Sequence, residues 1–255
     1  MILLHGAFAT HAEWPAEIMR GLAGEARVFA VDRPGHGRSA RRRGQGDTRS
    51  QADLIHQALA PSLCGPAVLV AHSFGAMTAL ALAERHPAAV AGLVLLAPIC
   101  FPEWRAEQVY LAPRAIPGLG RPLSAIANAT IDPLMAQIMR RAMFAPQPVP
   151  EGWARQRARE GAFAPQAFLR EGEDSLAVSP LEPRAYRRLA RVRAPVVILQ
   201  GDRDRIVAQG WHARLLSALL PRARLEMVRG VGHMVHHACP ERVVAAVSGL
   251  MAGTG

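Results

Sequence analysis

The chain predicts an α/β fold, a mostly parallel sheet with helices on both faces, and three observations carry that prediction. Short apolar, β-branched runs recur along the chain, at Ile2-Leu3-Leu4, Val68-Leu69-Val70 and Val196-Val197-Ile198 among others. Segments with helical spacing separate most of them, an alternation that implies parallel strands joined by crossover helices. Glycine, histidine, serine and aspartate gather just after the runs, and reactive groups in such sheets collect at the carboxyl ends of the strands. With 255 residues, the chain can form one large domain or a core carrying an inserted subdomain.

Taken in order, Ile2-Leu3-Leu4-His5-Gly6 reads as a short buried strand running into a loop. Residues 12–22 have helical spacing, with Trp14, Ile18 and Leu22 on one face. Val28-Phe29-Ala30-Val31-Asp32 is the next strand, and Arg33-Pro34-Gly35-His36-Gly37-Arg38-Ser39 is a loop turned by two glycines and a proline. Residues 48–63 predict a helix capped by Thr48, with Gln51 three residues on and a stripe of Leu54, Ile55, Ala58 and Leu59. The run Val68-Leu69-Val70-Ala71-His72 then stops at Ser73, and the helical run that follows ends near His86-Pro87. Such a tight strand-to-helix turn forces its central residue into strained angles and tolerates only small neighbours, here Ala71 and Gly75. Residues 90–97 are another strand.

After Pro98 the character changes, and residues 101–191 hold no convincing strand. Prolines recur there, with Trp104 and Tyr110, Trp153 and Tyr186 in helical surroundings. Residues 131–144 place Ile131, Leu134, Met135, Ile138, Met139 and Met143 on a greasy, deformable stripe suited to a lid over a substrate pocket. The predicted organisation is therefore a core of residues 1–100 and 192–255 with a helical lid of residues 101–191 inserted in it. Alternation resumes with a strand at 195–200, the loop Gly201-Asp202-Arg203-Asp204, a helix over 209–220, a strand at 224–228, the loop Gly230-Val231-Gly232-His233 and a closing helix from Pro240.

Composition narrows the function classes. Half of the residues are hydrophobic, but no apolar run approaches the length of a membrane span. The apolar start has no cationic region before it and is too short for a signal peptide, which predicts a cytoplasmic protein. The formal charge is +10, and every one of the 30 basic residues is Arg. These are scattered apart from Arg41-Arg42-Arg43, which reads as a solvated loop; without a basic helix face or a nucleic-acid motif, neither nucleic acid nor membrane is an expected partner. Cys64, Cys100 and Cys239 are an odd count at wide spacings, expected to be free and mostly buried thiols in a reducing compartment. The sequence does not specify an oligomeric state.

A serine hydroxyl needs a base to take its proton, a carboxylate to hold the base, and donors aimed at the developing oxyanion. The chain offers these parts at the ends of separate strands in the order Ser, Asp, His. The sequence resembles the α/β-hydrolase superfamily, in particular small esterase-like members with a helical lid. Five motifs in family order carry the resemblance: Leu4-His5-Gly6, the loop from Asp32 to Ser39, Ala71-His72-Ser73-Phe74-Gly75, Gly201-Asp202-Arg203-Asp204 and Gly232-His233. It implies Ser73 as nucleophile, His233 as general base and Asp204 as the orienting acid, with the backbone N–H groups of Ala7 and Phe74 as oxyanion donors. Asp202, Asp32, His36, His236 and His237 are rivals in residue type; Asp202 and Asp32 are expected to brace their loops, and His36 to be a loop residue. His72 is expected to pack under the turn or touch substrate. His233, His236, His237 and Cys239 superficially resemble a zinc set, but no carboxylate or second cysteine completes it, and no metal is expected. No Gly-x-Gly-x-x-Gly loop follows a strand, so no nucleotide cofactor is expected.

The sequence departs from the family in two places. Ala71 replaces a glycine, and the two strands that usually precede the His-Gly strand are missing, so either an edge hairpin is lost or the natural start lies upstream. Aspartate replaces the serine in relatives that form alkyl-enzyme esters, so Ser73 points to an acyl-enzyme. The expected activity is hydrolysis of a carboxylic ester with a hydrophobic part. Carbon–carbon, lactone or thioester cleavage by the same groups is the alternative, and a non-enzymatic ligand-binding homologue a more distant one.

Overall fold

The computed structural model describes residues 1–101, 103, 106–177 and 187–253. Its strands are β1 (Ile2–Leu4), β2 (Phe29–Val31), β3 (Ala67–His72), β4 (Val90–Leu96), β5 (Val196–Gly201) and β6 (Ala223–Val228). They form one six-stranded sheet in the order β2-β1-β3-β4-β5-β6, and every neighbouring pair is parallel. The predicted fold class is the observed one. β3 and β5 are buried at every position, whereas the edge strands β2 and β6 are mostly half-buried.

Alternation along each strand builds two cores. Leu4, Leu69, Leu93, Leu95 and Ile198 face one way, against Ile55 of α2 (Thr48–Leu59) and Leu80 and Leu82 of α3 (Gly75–Arg85). Leu3, Val70, Val94, Leu96 and Leu199 face the other way. They meet Ile18 and Leu22 of α1 (Ala16–Ala23) and, from the closing helix Pro240–Ala252, Val243 and Val247. A strand's period of two thus fills both faces at once.

Between β4 and β5 come α4 (Ala106–Leu111), α5 (Gly120–Thr130), α6 (Asp132–Phe144), α7 (Trp153–Arg159) and α8 (Pro165–Ala177). No strand interrupts this stretch among the described residues; Trp104 and Tyr186 lie outside them. Leu123, Ile126, Leu134 and Ile138 are exposed on α5 and α6. No described helix is long and apolar enough to cross a membrane.

Several local expectations are corrected. Pro15 delays α1, so His11–Glu13 form a separate 3-10 turn. Asp47, not Thr48, caps α2, its carboxylate accepting from the backbone N–H groups of Arg49 and Ser50. The helix expected over 209–220 begins as a π turn, Gly210–Arg214, and continues as the short α9 (Leu215–Leu219). Arg41 is not solvated: it is buried and bonded to Asp174 and Glu173. The three cysteines are free, but Cys64 is exposed.

The site is positioned by a close crossing of α3 over the end of β1. A Cβ on Gly75 would lie 2.6 Å from the carbonyl oxygens of both His5 and Leu4. Alanine is intrinsically the better helix former by about 1 kcal/mol, but two rigid backbone oxygens cannot yield as a flexible side chain can. Gly75→Ala is therefore expected to lower stability by about 2–3 kcal/mol, read as an earlier urea midpoint at unchanged slope. A midpoint at or above wild type would contradict this packing.

Candidate active site

Ser73 directly follows β3, with φ +50°, a left-handed conformation rare for a non-glycine residue. Its amide donates to Leu96 O at 2.9 Å, and its carbonyl accepts from Ile99 N at 3.2 Å, which holds the turn against the end of β4. His233 lies after β6. Its Nε2 is 3.0 Å from Ser73 Oγ and its Nδ1 is 2.9 Å from Asp204 Oδ2. An ionised carboxylate only accepts, so Nδ1 carries the proton and Nε2 faces the serine hydroxyl as acceptor. Ser73, His233 and Asp204 are thus brought into one hydrogen-bonded chain.

Asp204 is itself held on every side. Gln200 Nε2 donates to Oδ2 at 2.9 Å, and the backbone N–H groups of Ile206 and Val207 donate to Oδ1 at 2.8 and 3.0 Å. Burial alone would raise its pKa; the His233 ring, Gln200 and the Val207 amide outweigh that and lower it to about 2. Asp202 does what was expected of it, accepting from Gly230 N at 2.6 Å. Asp32 likewise accepts from His11 N and Arg38 N.

The loop after β1 runs beside the serine. Among the described residues, the N–H groups of Ala7 and Phe74 donate no hydrogen bond. Gly6 must be glycine because a Cβ there would lie 2.9 Å from His72 Nδ1 and 3.2 Å from Ser73 Cβ. The flanking N–H groups are occupied: Gly6 N donates to Glu13 Oε2 at 2.8 Å and Phe8 N to Glu171 Oε1 at 2.7 Å.

Sequence reasoning passed over Glu13, Arg33, Glu171 and Asp174. His72 packs beneath the turn with Nδ1 2.7 Å from Glu13 Oε1, and it also borders the cavity. Glu13 is buried, which opposes its charge, but His72 and His236 beside it hold its pKa well below the usual carboxylate range. Arg33 is wholly buried: it donates to His5 O, Gly6 O, Gln51 and Asp174, and stacks 4.5 Å over the Phe74 ring. His36 bonds Asp174 at 3.0 Å, so this loop histidine belongs to the same buried network. One signal for α8 stood in the sequence: a glycine sits between its acids, and a Cβ on Gly172 would lie 2.5 Å from Leu111 O. That helix face is therefore closely packed rather than solvated.

Among the described residues, two buried groups could each present three ligand atoms to a metal, Glu13 with His72 and His236, and His36 with Glu171 and Asp174. A guanidinium stands beside each, Arg157 at 3.9 Å from Glu13 and Arg33 at 2.9 Å from Asp174, and a neighbouring positive charge opposes a bound cation. Cys239 joins neither group. Among the described contacts neither rival, His236 nor His237, bonds Ser73: His236 faces Glu13 at 3.5 Å, and His237 packs against the Phe144 ring with centroids 5.2 Å apart.

Above Ser73 and His233 lies a cavity of about 400 Å³, of a size to hold a small ligand. Its wall is largely apolar and includes Phe8, Met77, Tyr110, Met135, Met139 and Met143. The stripe of α6 therefore faces this cavity in part, through Met135, Ile138, Met139 and Met143, with Ile138 also partly exposed, while Ile131 and Leu134 are exposed.

Comparison with known proteins gives one family and several relatives. The profile described as "Alpha/beta hydrolase family" matches residues 1–246. The Pimeloyl-[acyl-carrier protein] methyl ester esterase of Nitrosomonas europaea is 27% identical over 258 residues, covering 98% of this chain and 94% of that protein. Protein PHYLLO, chloroplastic, of Arabidopsis thaliana is 33% identical over 37% of this chain, which spans only 6% of that protein's length. The structure of a thermophilic esterase from Thermogutta terrifontis superposes with a TM-score of 0.76 over 99% of this chain and 89% of its own, at 20% identity, a likeness of fold.

The lowered pKa of Asp204 has a measurable consequence. With its folded value near 2 against an ordinary 3.8, its stabilising contribution is complete above about pH 4 and is lost as pH falls toward 2. The stability advantage of wild type over Asp204→Asn is expected to shrink by about 1.5 kcal/mol between pH 7 and about pH 2.5. Urea unfolding of both proteins at several pH values checks this; a gap independent of pH would contradict it.

Proposed function

The chain belongs to the alpha/beta hydrolase family, and on that premise we propose that it is a serine hydrolase that cleaves a carboxylic ester through an acyl-enzyme. The observation that carries the proposal is the unbroken chain from Ser73 Oγ through His233 to Asp204, with contacts of 3.0 and 2.9 Å. Asp204 keeps the proton of the neutral ring on Nδ1, so Nε2 is the basic nitrogen. As Ser73 Oγ attacks the carbonyl carbon, Nε2 takes its proton and the carbonyl oxygen becomes an oxyanion. The N–H groups of Ala7 and Phe74 are the donors available to that oxygen. Phe74 immediately precedes α3, so the helix dipole adds its positive end there. His233 then returns the proton to the departing alcohol. Water, deprotonated by the same nitrogen, attacks the acyl carbon and releases the acid.

The apolar wall favours an acyl or alcohol group with a hydrophobic part. The cavity draws Met135, Met139 and Met143 from the inserted helices, which supports reading residues 101–191 as a lid over the site. One relative of near-equal length is named as a methyl ester esterase, which supports an ester as the bond cleaved here.

Ser73→Ala is expected to lower kcat for p-nitrophenyl butyrate by about 10⁴-fold or more, with the fold retained by circular dichroism. Wild type is expected to react covalently with a fluorophosphonate probe at Ser73, located by peptide mass spectrometry. Wild-type turnover by the alanine variant would overturn the assignment. Cleavage of a lactone, thioester or diketone in preference to every ester tested would retain the three residues and replace the substrate class.

A further inference from the structure

The loop Gly6-Ala7-Phe8 is held from two sides by carboxylates of very different origin. Glu13 follows it closely in sequence and accepts from Gly6 N at 2.8 Å. Glu171 lies on α8, 163 residues beyond Phe8, and accepts from Phe8 N at 2.7 Å. Between them the N–H of Ala7 donates to no described group. We infer that Glu171 is a positioning residue for the oxyanion: with Glu13 it fixes the peptide groups on both sides of the Gly6–Ala7 peptide and leaves the Ala7 N–H directed at the reacting oxygen. The inference rests on the serine-hydrolase reading above, and it makes α8 part of the machinery as well as part of the cover.

Three further observations support it. Phe8 has φ +51°, a conformation an ordinary side chain adopts only when its surroundings impose it. The bond from Phe8 N to Glu171 and the packing of the Phe8 ring on Phe168 of α8, with centroids 5.1 Å apart, are the constraints that impose it. Second, Glu171 is only 3% exposed, and a buried carboxylate is costly unless specific partners hold it. His36 at 3.5 Å and Arg33 at 3.8 Å face the same oxygen that accepts from Phe8. An apolar residue would have filled this place more simply. Third, α8 is docked by a separate anchor. Asp174, one turn further on, bonds His36 at 3.0 Å, Arg33 at 2.9 Å and Arg41. Arg33 also donates to Gly6 O at 3.2 Å, so the same buried cation joins α8 to the loop that Glu171 orients.

Glu171 borders the cavity, so direct contact with substrate or service as a base is the rival role, and the variants separate the two. Gln at 171 keeps an acceptor oxygen for Phe8 N but is no base; Leu removes the acceptor, and Ser removes it while leaving room for water should the Leu variant not fold. Loss of a whole oxyanion donor costs about 10²–10³ in kcat, and a displaced donor costs less. Glu171→Leu or Glu171→Ser is therefore expected to lower kcat for p-nitrophenyl butyrate about 10- to 100-fold with KM changed less than about threefold, and Glu171→Gln to stay within about threefold of wild type. Inhibition by an alkyl trifluoromethyl ketone, which forms a serine-bound oxyanion, should weaken about 10- to 100-fold in the Leu or Ser variant, while inhibition by butyramide is unchanged. Gln as damaging as Leu with KM raised, or unchanged kcat and ketone inhibition in the Leu and Ser variants, would overturn the proposal. Amide hydrogen exchange at Phe8 is measured in parallel. Protection lost in the Ser variant supports the clamp, and protection retained sinks it. Should wild type hydrolyse nothing and resist the fluorophosphonate, the functional reading fails by itself, and exchange at Phe8 still decides the clamp.

Discussion

Everything at this site depends on two stretches of backbone coming closer than side chains permit. The start of α3 crosses the end of β1 so tightly that a Cβ on Gly75 would sit 2.6 Å from two carbonyl oxygens. The same crossing brings Gly6 against His72 and Ser73, again with no room for a side chain. Glycines at these points let the serine turn and the loop after β1 share one small volume. Ala71, fully buried with its side chain accommodated, shows that the third position is less constrained. The proposed nucleophile and the proposed donor from Ala7 are neighbours because of this contact, not because of anything either residue does itself.

Proximity alone does not orient a peptide group, and the buried ions supply orientation. Arg33 reaches the carbonyls of His5 and Gly6, the side chain of Gln51 on α2, Asp174 on α8 and the face of Phe74. Ion pairs of this kind rarely improve stability over well-packed apolar residues, because desolvation offsets most of the attraction. Their usefulness lies in direction: a guanidinium fork and a carboxylate bond only along set lines. A loop with Phe8 at φ +51° beside a turn with Ser73 at φ +50° needs such directional constraint. Apolar packing alone would leave these peptide groups free to rotate toward relaxed angles.

The sheet and the Ser-Asp-His chain were legible in the sequence because their signals are local. An apolar run that stops at a serine with small neighbours, or a strand ending in Gly-Asp-x-Asp, is a short motif, and five such motifs in family order carried the resemblance that assigned these residues. The network around the loop was not legible for the opposite reason. Glu171, Glu173 and Asp174 carried no signal of their own, and Arg41 read as part of a solvated run, until the fold pairs them across more than 130 positions. Neutralisation by a distant partner leaves no mark on either segment. The Gly172 contact is the exception, since a glycine within a helix signals a close neighbour without naming it. Boundaries failed for simpler local reasons: Pro15 breaks the first helix, and the Asp47 side chain caps the second one residue earlier than Thr48 would.

The helices between β4 and β5 divide two tasks that a simple cover would not have. Met135, Met139 and Met143 on α6 face the cavity with flexible, unbranched side chains, which adapt to the shape of an apolar group without fixing it. Glu171 and Asp174 on α8 do the reverse, giving up solvation for bonds of fixed direction. Chemistry requires an oxyanion donor placed to within a fraction of an ångström, whereas accommodation of an acyl chain tolerates far more. On the proposed reading, rigid, charged contacts belong where α8 meets the loop, and soft, apolar ones where α6 lines the cavity. On that reading α6 can vary with the group to be bound while the geometry around Ala7 stays fixed, because among the described polar contacts none joins α6 to Glu13 or Glu171.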